Sequence, residues 1–347
     1  MSLGAERVLT ARERNRALLE RQLLLERRKL SLPKALERIG GIQAQYAPSM
    51  YVGLWSRLAG FERDQLTRAL ERRTVIQATL MRVTIHLVSR DDYWPMALGV
   101  RQASRDGWLA YRRGKATAAD VKAAAKLVGG RLRAGASKKT ELADDLDTMM
   151  FNGAGLWLDL VRIPPSGTWE RRRADMYALA EEWIDSPDVT AEDGLPLLID
   201  RYLRGFGPAA AADIANWIGV GPKDVAAALE TIELRQFRDE KGKLLVDLPR
   251  LPLPSADLEA PPRFLPTWDA TLLVHARATE LLAEDDRPKV FSTKTPQSVP
   301  TFAIDGAVAG TWRYEKGKVK LDPFRKLSKS ARDEIAGEAE RLAAFHA

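Results

Sequence analysis

The chain of 347 residues contains no cysteine. That excludes disulfides, a thiol nucleophile, an iron–sulfur cluster and any thiolate zinc site. Histidine is almost as scarce: His86, His275 and His346 lie far apart and lack metal-ligand spacing. A transition-metal site is therefore not expected, and no cofactor is called for. No run of eighteen apolar residues occurs, so no membrane span is predicted. Residues 1–10 carry no apolar leader core, and a cytoplasmic, nucleoid-associated location is expected. Phosphate-binding loops (G-x-x-x-x-G-K-[ST], strand-linked G-x-G-x-x-G) and the hydrolase signatures H-E-x-x-H and G-x-S-x-G are missing too.

The 45% hydrophobic content suffices for two or three packed domains. Against 47 acidic residues stand 54 Lys and Arg, a net charge of +7. This modest excess suits a polyanionic partner, and it equally suits an ordinary basic surface. No coiled-coil pattern appears, so a monomer is expected.

The first third of the sequence reads as helical. Residues 12–30 place Leu19, Leu23 and Leu30 on one face, and residues 32–39 make a second helix that Gly40-Gly41 ends. Residues 52–58 and 64–72 add two more. Residues 74–89 (TVIQATLMRVTIHLVS) are β-branched and read as a hairpin. Later, residues 195–205 form a helix. Gly207-Pro208 opens another that buries Ile214, Ala215 and Ile218, with Pro208 near its first turn. Gly219-Val220-Gly221 turns the chain, and Pro222 starts a third helix. Residues 234–248 form strand, turn and strand. This order is that of a winged helix-turn-helix. The same order can be traced at the N-terminus and more faintly in the middle, where residues 118–128 and 140–150 are helices and 158–169 supply a wing.

A proline-rich linker starts at Pro249. Beyond it, residues 264–275, 290–292, 300–304, 307–314 and 318–324 read as strands of a small barrel or curled sheet. Asp305-Gly306 and Glu315-Lys316-Gly317 are the turns, and residues 328–345 are a closing helix. The expected fold is α+β and mainly α: three tandem winged helix-turn-helix units around a concave basic channel, with a C-terminal β-barrel-like domain. The corresponding boundaries are 1–115, 116–190, 191–260 and 261–347.

Basic clusters accompany this pattern: Arg101 and Arg105 with Arg112, Arg113 and Lys115; Arg171-Arg172-Arg173; and Arg325, Lys326 and Lys329. Trp108, Tyr111, Trp169 and Tyr177 are interleaved, which suits a groove that tracks a nucleic-acid backbone. A solvated face with core aromatics gives the same pattern. Residues 40–51 (GGIQAQYAPSMY) stand apart. Gln43 and Gln45, two positions apart, diverge on a helix but face the same way on an extended segment. Two amides on one side can hold a water or a ribose oxygen through donors and acceptors together. Two glutamines in a loop can also carry no function.

Several segments together decide the weighting: LTARERNRALLERQLLLER, RIGGIQAQYAPSMYVGLWSRLAGF, QATLMRVTIHLVS, RYLRGFGPAAAADIANWIG, FLPTWDATLLVH, DGAVAGTWRYE and DPFRKLS. In them the chain resembles the AlkZ-like DNA glycosylases, whose winged-helix superfamily also contains YcaQ-like enzymes. The resemblance spans nearly the whole chain. It implies three winged helices around a basic channel, an appended barrel, and hydrolysis of the N-glycosidic bond of alkylated purines, including bulky or crosslinked adducts. The family's Gln-hydrophobic-Gln motif falls on Gln43, Ala44 and Gln45. The YcaQ-like branch has aspartate in the last place, so Gln45 sets this chain with the AlkZ-like branch. Two departures stand out. Val83 occupies a position often held by glycine, and His275-Ala276-Arg277-Ala278 replaces His-Ala-Asp-Arg, removing an acidic–basic pair.

Glutamine does not titrate and cannot deprotonate water, but it can orient a water and stabilise positive charge developing on a sugar. That suffices only where the base already leaves easily, as a cationic N7- or N3-alkylpurine does. The expected catalytic residues are Gln43 and Gln45, with Gln45 the direct contact. With no amine nucleophile at the motif, monofunctional hydrolysis is expected. Arg82 and His86, alternating on a strand, are expected at phosphate or pocket; Asp269 and His275 read as structural. The expected partner is double-stranded DNA with alkylated bases. The rival is a winged-helix regulator or another non-catalytic DNA-binding protein. Residues 222–232 (PKDVAAALETI) are poor in base-reading side chains, which weakens that rival.

Overall fold

The computed structural model describes residues 5–135, 137–186, 188–292 and 297–347, without the side chain of Gln297. The leader reading of residues 1–10 is thus described only from residue 5. The architecture is mixed α+β, with roughly half of the chain helical. No helix among the described residues is long and apolar enough to cross a membrane.

Leu32–Ile39 forms as the pattern predicts. Leu32, Ala35, Leu36 and Ile39 recur at helical spacing and are buried. Gly40 ends this helix at φ 78°, and Gly41 follows at φ 79°. Side chains rarely adopt this conformation, so the paired glycines turn the chain cheaply into the strand Ile42–Gln43.

That strand is the edge of a five-stranded antiparallel sheet. The order continues through Ile85–Ser89, Val75–Thr79, Leu160–Arg162 and Tyr177–Leu179. The hairpin expected in residues 74–89 is present, its two strands joined through a tight 3-10 turn, Met81–Val83. The wing expected at 158–169 is not local. Leu160–Arg162 pairs with Tyr177–Leu179, and the long connection between them carries Arg171-Arg172-Arg173.

The helix expected over residues 12–30 stops early, at Ala11–Arg21. Burying the polar ends of Arg21 and Gln22 sets its end. Arg21 forks onto Asp247 with both contacts at 2.7 Å, and Gln22 Nε2 donates to the carbonyls of Ile39 (3.0 Å) and Gly205 (2.9 Å). Leu23 then takes φ 59°, and Leu23 and Leu24 pack into the core outside the helix.

Helices Arg90–Tyr111 and Ala191–Phe206 cross where Gly99 meets Gly194. A Cβ on Gly194 would lie 2.5 Å from Gly99 Cα and from the Pro95 carbonyl oxygen, so only glycine allows the crossing. After Gly207-Pro208 the next helix is Ala211–Ile218, so Pro208 lies shortly before its first turn. Pro222–Leu229 follows, then the strands Arg235–Asp239 and Leu244–Asp247. Val8–Leu9 joins these two as a parallel third strand. The middle helices are Ala118–Arg133, Lys139–Leu142 and Thr148–Leu158. The last begins where Asp147 caps Met150 N at 2.7 Å, breaking the helix expected over 140–150.

The C-terminal barrel is corrected to an open sheet. Its order is Lys318–Pro323, Ala307–Glu315, Thr301–Ile304 and Arg263–Leu265, with the two end strands unpaired to each other. Instead of closing on itself, the sheet buries Phe264, Phe302 and Trp312 in one cluster with Ile335, Ala339 and Leu342 of the final helix, Lys329–His346. The strand expected at 264–275 is short because of the partners of Asp269. Asp269 accepts from Thr271 N (3.1 Å) and pairs with the buried Arg57 (3.0 Å), holding 3-10 turns instead.

Candidate active site

The motif sits where the edge strand ends. Gln43 lies opposite His86 in the ladder, and Ala44 N donates to the Ile85 carbonyl at 2.7 Å. The next ladder bond is made by a side chain: Ile85 N donates to Gln45 Oε1 at 2.7 Å. The pairing therefore stops at Gln45, and the chain departs into the helix Ala47–Arg57.

Both amide orientations follow from obligate donors. A backbone N–H faces Gln45 and a guanidinium faces Gln43, so each glutamine must present its oxygen. Arg82 Nη2 donates to Gln43 Oε1 at 3.0 Å. The environments differ, however. Gln43 is only 6% exposed, whereas Gln45 is exposed. The common direction expected for the pair is thus replaced by a buried amide held by arginine and a surface amide held by backbone.

Arg82 is not on the strand, as expected from its spacing, but in the turn before it. Arg82 and Val83 take φ 55° and 56°. The turn packs closely on Gly219, whose Cβ would meet Arg82 N at 3.0 Å. The glycine turn read in the sequence at 219–221 thereby supports the site. Besides Gln43, Arg82 donates to the Trp217 carbonyl, and no carboxylate pairs with it among the described residues. Burial without a counter-ion pushes its pKa down to about 10, so it stays charged at neutral pH.

His86 is buried. Its Nδ1 carries the proton, because it faces the Thr84 carbonyl at 3.0 Å. Burial first, and the charge of Arg82 second, push its pKa down to about 3. It is a neutral strut rather than a cationic phosphate contact. His275, buried edge-on against Phe206 (4.8 Å between ring centroids), is pushed down by the same two effects. At the second departure from the family pattern, Arg277 pairs with Glu284 on the surface.

Gln45 lines a cleft of about 260 Å³ with Val83, Asn152, Leu160, Arg162 and Tyr177. Arg162 and Asn152 were not among the residues read from the sequence. Arg162 Nη1 donates to Thr79 Oγ1 at 3.2 Å, and its guanidinium lies 5.4 Å from the Tyr177 ring centroid. Burial lowers its pKa. The available signal was a lone arginine in the apolar stretch LVRIPP.

The remaining predicted residues are dispersed. Arg101 pairs with Asp159 (2.6 Å), and Arg105 donates to the Leu156 carbonyl (3.0 Å). Both fasten the segment that lines the cleft, and only Arg101 is matched by a carboxylate. Arg171, Arg172 and Arg173 are exposed on the 163–176 connection. Arg173 pairs with Asp175 (3.3 Å), and Arg172 donates to the Tyr46 hydroxyl at 3.3 Å.

A family model described as AlkZ-like, "DNA glycosylase AlkZ-like", matches residues 36–345. The chain belongs to the AlkZ-like DNA glycosylase family. Among solved structures, the fold is similar to that of the DNA glycosylase AlkZ of Streptomyces sahachiroi, with a TM-score of 0.80 and 19% sequence identity over 97% of each chain. None of the curated proteins matches the chain.

Proposed function

We propose that this chain is a monofunctional DNA glycosylase that hydrolyses the N-glycosidic bond of cationic N7- or N3-alkylated purines, bulky or crosslinked adducts included. The observation that carries this reading is Gln45. Its oxygen is pinned by Ile85 N–H, and it stands exposed on a cleft whose described lining residues include one cation and no carboxylate or imidazole. An amide so held keeps a second lone pair on Oε1 and both Nε2 hydrogens for a water. That water adds to the sugar C1′ as the C1′–N bond breaks. The alkylated base leaves neutral with the bonding electrons, and the proton lost from water passes to solvent. No acid is needed on the base, which is why a cationic leaving group fits and a neutral pyrimidine does not.

Gln43 acts behind Gln45. Its oxygen takes the Arg82 guanidinium, which holds the charged turn against the edge strand. The cleft contains no lysine among its described lining residues, consistent with hydrolysis and not with a Schiff-base lyase. In this reading residues 1–115, 116–190 and 191–260 are winged-helix units that grip double-stranded DNA, residues 261–347 are the appended sheet and helix, and the enzyme acts as a monomer without a cofactor. Arg171 and Arg172, exposed and unpaired with any carboxylate among the described residues, are assigned to the phosphate backbone.

The test is release of free base from duplex DNA carrying N7-methylguanine, with uracil-containing duplex as the neutral comparison. Release from the first and not the second supports the reading. Binding without release would leave the non-catalytic alternative.

A further inference from the structure

Residues 45 and 46 face two different openings. Gln45 lines the cleft above, whereas Tyr46 lines a second one of about 270 Å³. Its lining includes five rings among prolines and small side chains: the exposed Tyr46 and Tyr314, the half-buried His346, and the buried Trp169 and Trp312. Tyr46 is 45% exposed and Tyr314 37%, unusually high for large aromatic side chains. Tyr314 stacks on His346 with ring centroids 4.3 Å apart and planes 18° apart. Trp169 meets the same imidazole edge-on at 5.1 Å.

Positive charge flanks these rings and is not neutralised. Arg172 lies 5.8 Å and Arg63 5.1 Å from the Trp169 ring centroid, and neither has a carboxylate partner among the described residues. Arg313, also at the cleft, is already committed to Asp322 and Glu315. Burial and the charges of Arg63 and Arg172 push His346 down to about 4, so the imidazole is a neutral stacking surface at pH 7. Flat rings beside surplus guanidinium charge complement a planar heteroaromatic ring that carries an anion, which is a nucleotide. An acidic peptide would use the charge but leave the ring surfaces unmatched.

We propose that this aromatic cleft binds one unstacked nucleobase of the DNA strand that passes Gln45, with that nucleotide's phosphate on Arg172. This goes beyond the hydrolysis reading, because it requires no lesion and no bond cleavage.

The test is equilibrium binding by fluorescence anisotropy at one fixed salt concentration. One duplex carries a single bulged, undamaged adenine. The other carries a tetrahydrofuran abasic analogue in the bulge. The chain is expected to prefer the base-bearing bulge by about five- to a hundredfold, the range of one base–aromatic stack. Tyr314→Ala should bring that ratio toward one, while Tyr314→Phe, which keeps the ring, should preserve it. Arg172→Gln should weaken both duplexes together. Equal affinity for the two bulges, or an unchanged ratio in Tyr314→Ala, overturns the proposal. Competition by free deoxyadenosine monophosphate at concentrations near the duplex Kd would also overturn it, by assigning the cleft to a free nucleotide. Base release is not measured, so this result is independent of whether the chain hydrolyses alkylpurines.

Discussion

Acidification should destabilise this chain through its three histidines. All are held neutral in the fold: His86 at about 3, His346 at about 4, and His275 well below its ordinary value. In the unfolded chain each returns to about 6.5. A base whose folded pKa is depressed binds its proton only after unfolding, so stability falls as pH drops below 6.5 and continues to fall toward the folded pKa. At pH 5 the cost for the wholly buried His86 is about 1.5 pH units, or roughly 2 kcal/mol at about 1.36 kcal/mol per unit. His275 adds to the loss in the same direction, and the part-exposed His346 adds less because solvent screens it, so the loss is a sizeable share of the roughly 5–15 kcal/mol that typical proteins have. Asp92 and Asp159, whose pKa values burial raises, oppose this trend in part. Urea unfolding followed by circular dichroism at pH 7, 6 and 5 measures the loss directly. His86→Gln should remove about 2 kcal/mol of the pH-dependent loss, whatever it does to stability at pH 7. Unchanged stability between pH 7 and 5, or histidine ring protons titrating near 6.5 in the folded chain, would refute the reasoning.

Three further outcomes follow from packing. Arg21→Met should cost about 3–5 kcal/mol in chemical unfolding because it strands the wholly buried Asp247 carboxylate, and adding Asp247→Leu should restore much of it. Gly194→Ala should destabilise by at least about 1–3 kcal/mol, since the new methyl meets the backbone of Gly99 and Pro95 rather than a movable side chain. Val83→Gly should leave the melting temperature close to unchanged: relief of the strain at φ 56°, on the order of 1 kcal/mol, offsets the roughly 0.5–1 kcal/mol entropy cost of glycine. The same substitution removes a wall side chain from the Gln45 cleft.

Local signals in the sequence carried far where backbone chemistry was local. Leu32–Ile39, the Gly40-Gly41 break, the 74–89 hairpin and the Asp305-Gly306 turn were each readable from periodicity or φ preference. Features fixed by distant partners were not. The helix starting at Ala11 stops at Arg21 because Asp247, Ile39 and Gly205 claim the polar ends of Arg21 and Gln22. The barrel expected from five strand signals stayed open because the final helix supplies the second layer of the core. Gln43 and Gln45 could be singled out as a pair, but not their separation, which depends on Arg82 and Ile85 N–H. Arg162 went unread because its importance lies in the proximity of two sheet strands and the helix Thr148–Leu158 around one cleft. Arg101 and Arg105 were read as a basic patch, yet Asp159 and the Leu156 carbonyl, half-buried at the end of the neighbouring helix, engage them.

The central claim is that the Gln45 amide positions the attacking water. Single-turnover release of N7-methylguanine from duplex DNA, compared between the unmodified chain, Gln45→Ala and Gln43→Ala, tests it most directly. The account predicts at least about a tenfold loss of rate, or roughly 1.4 kcal/mol of barrier, in Gln45→Ala with DNA affinity retained. Gln43→Ala should lose less, since that amide acts through Arg82. Full-rate release by Gln45→Ala, or no release by the unmodified chain under conditions where it binds the DNA, would contradict it.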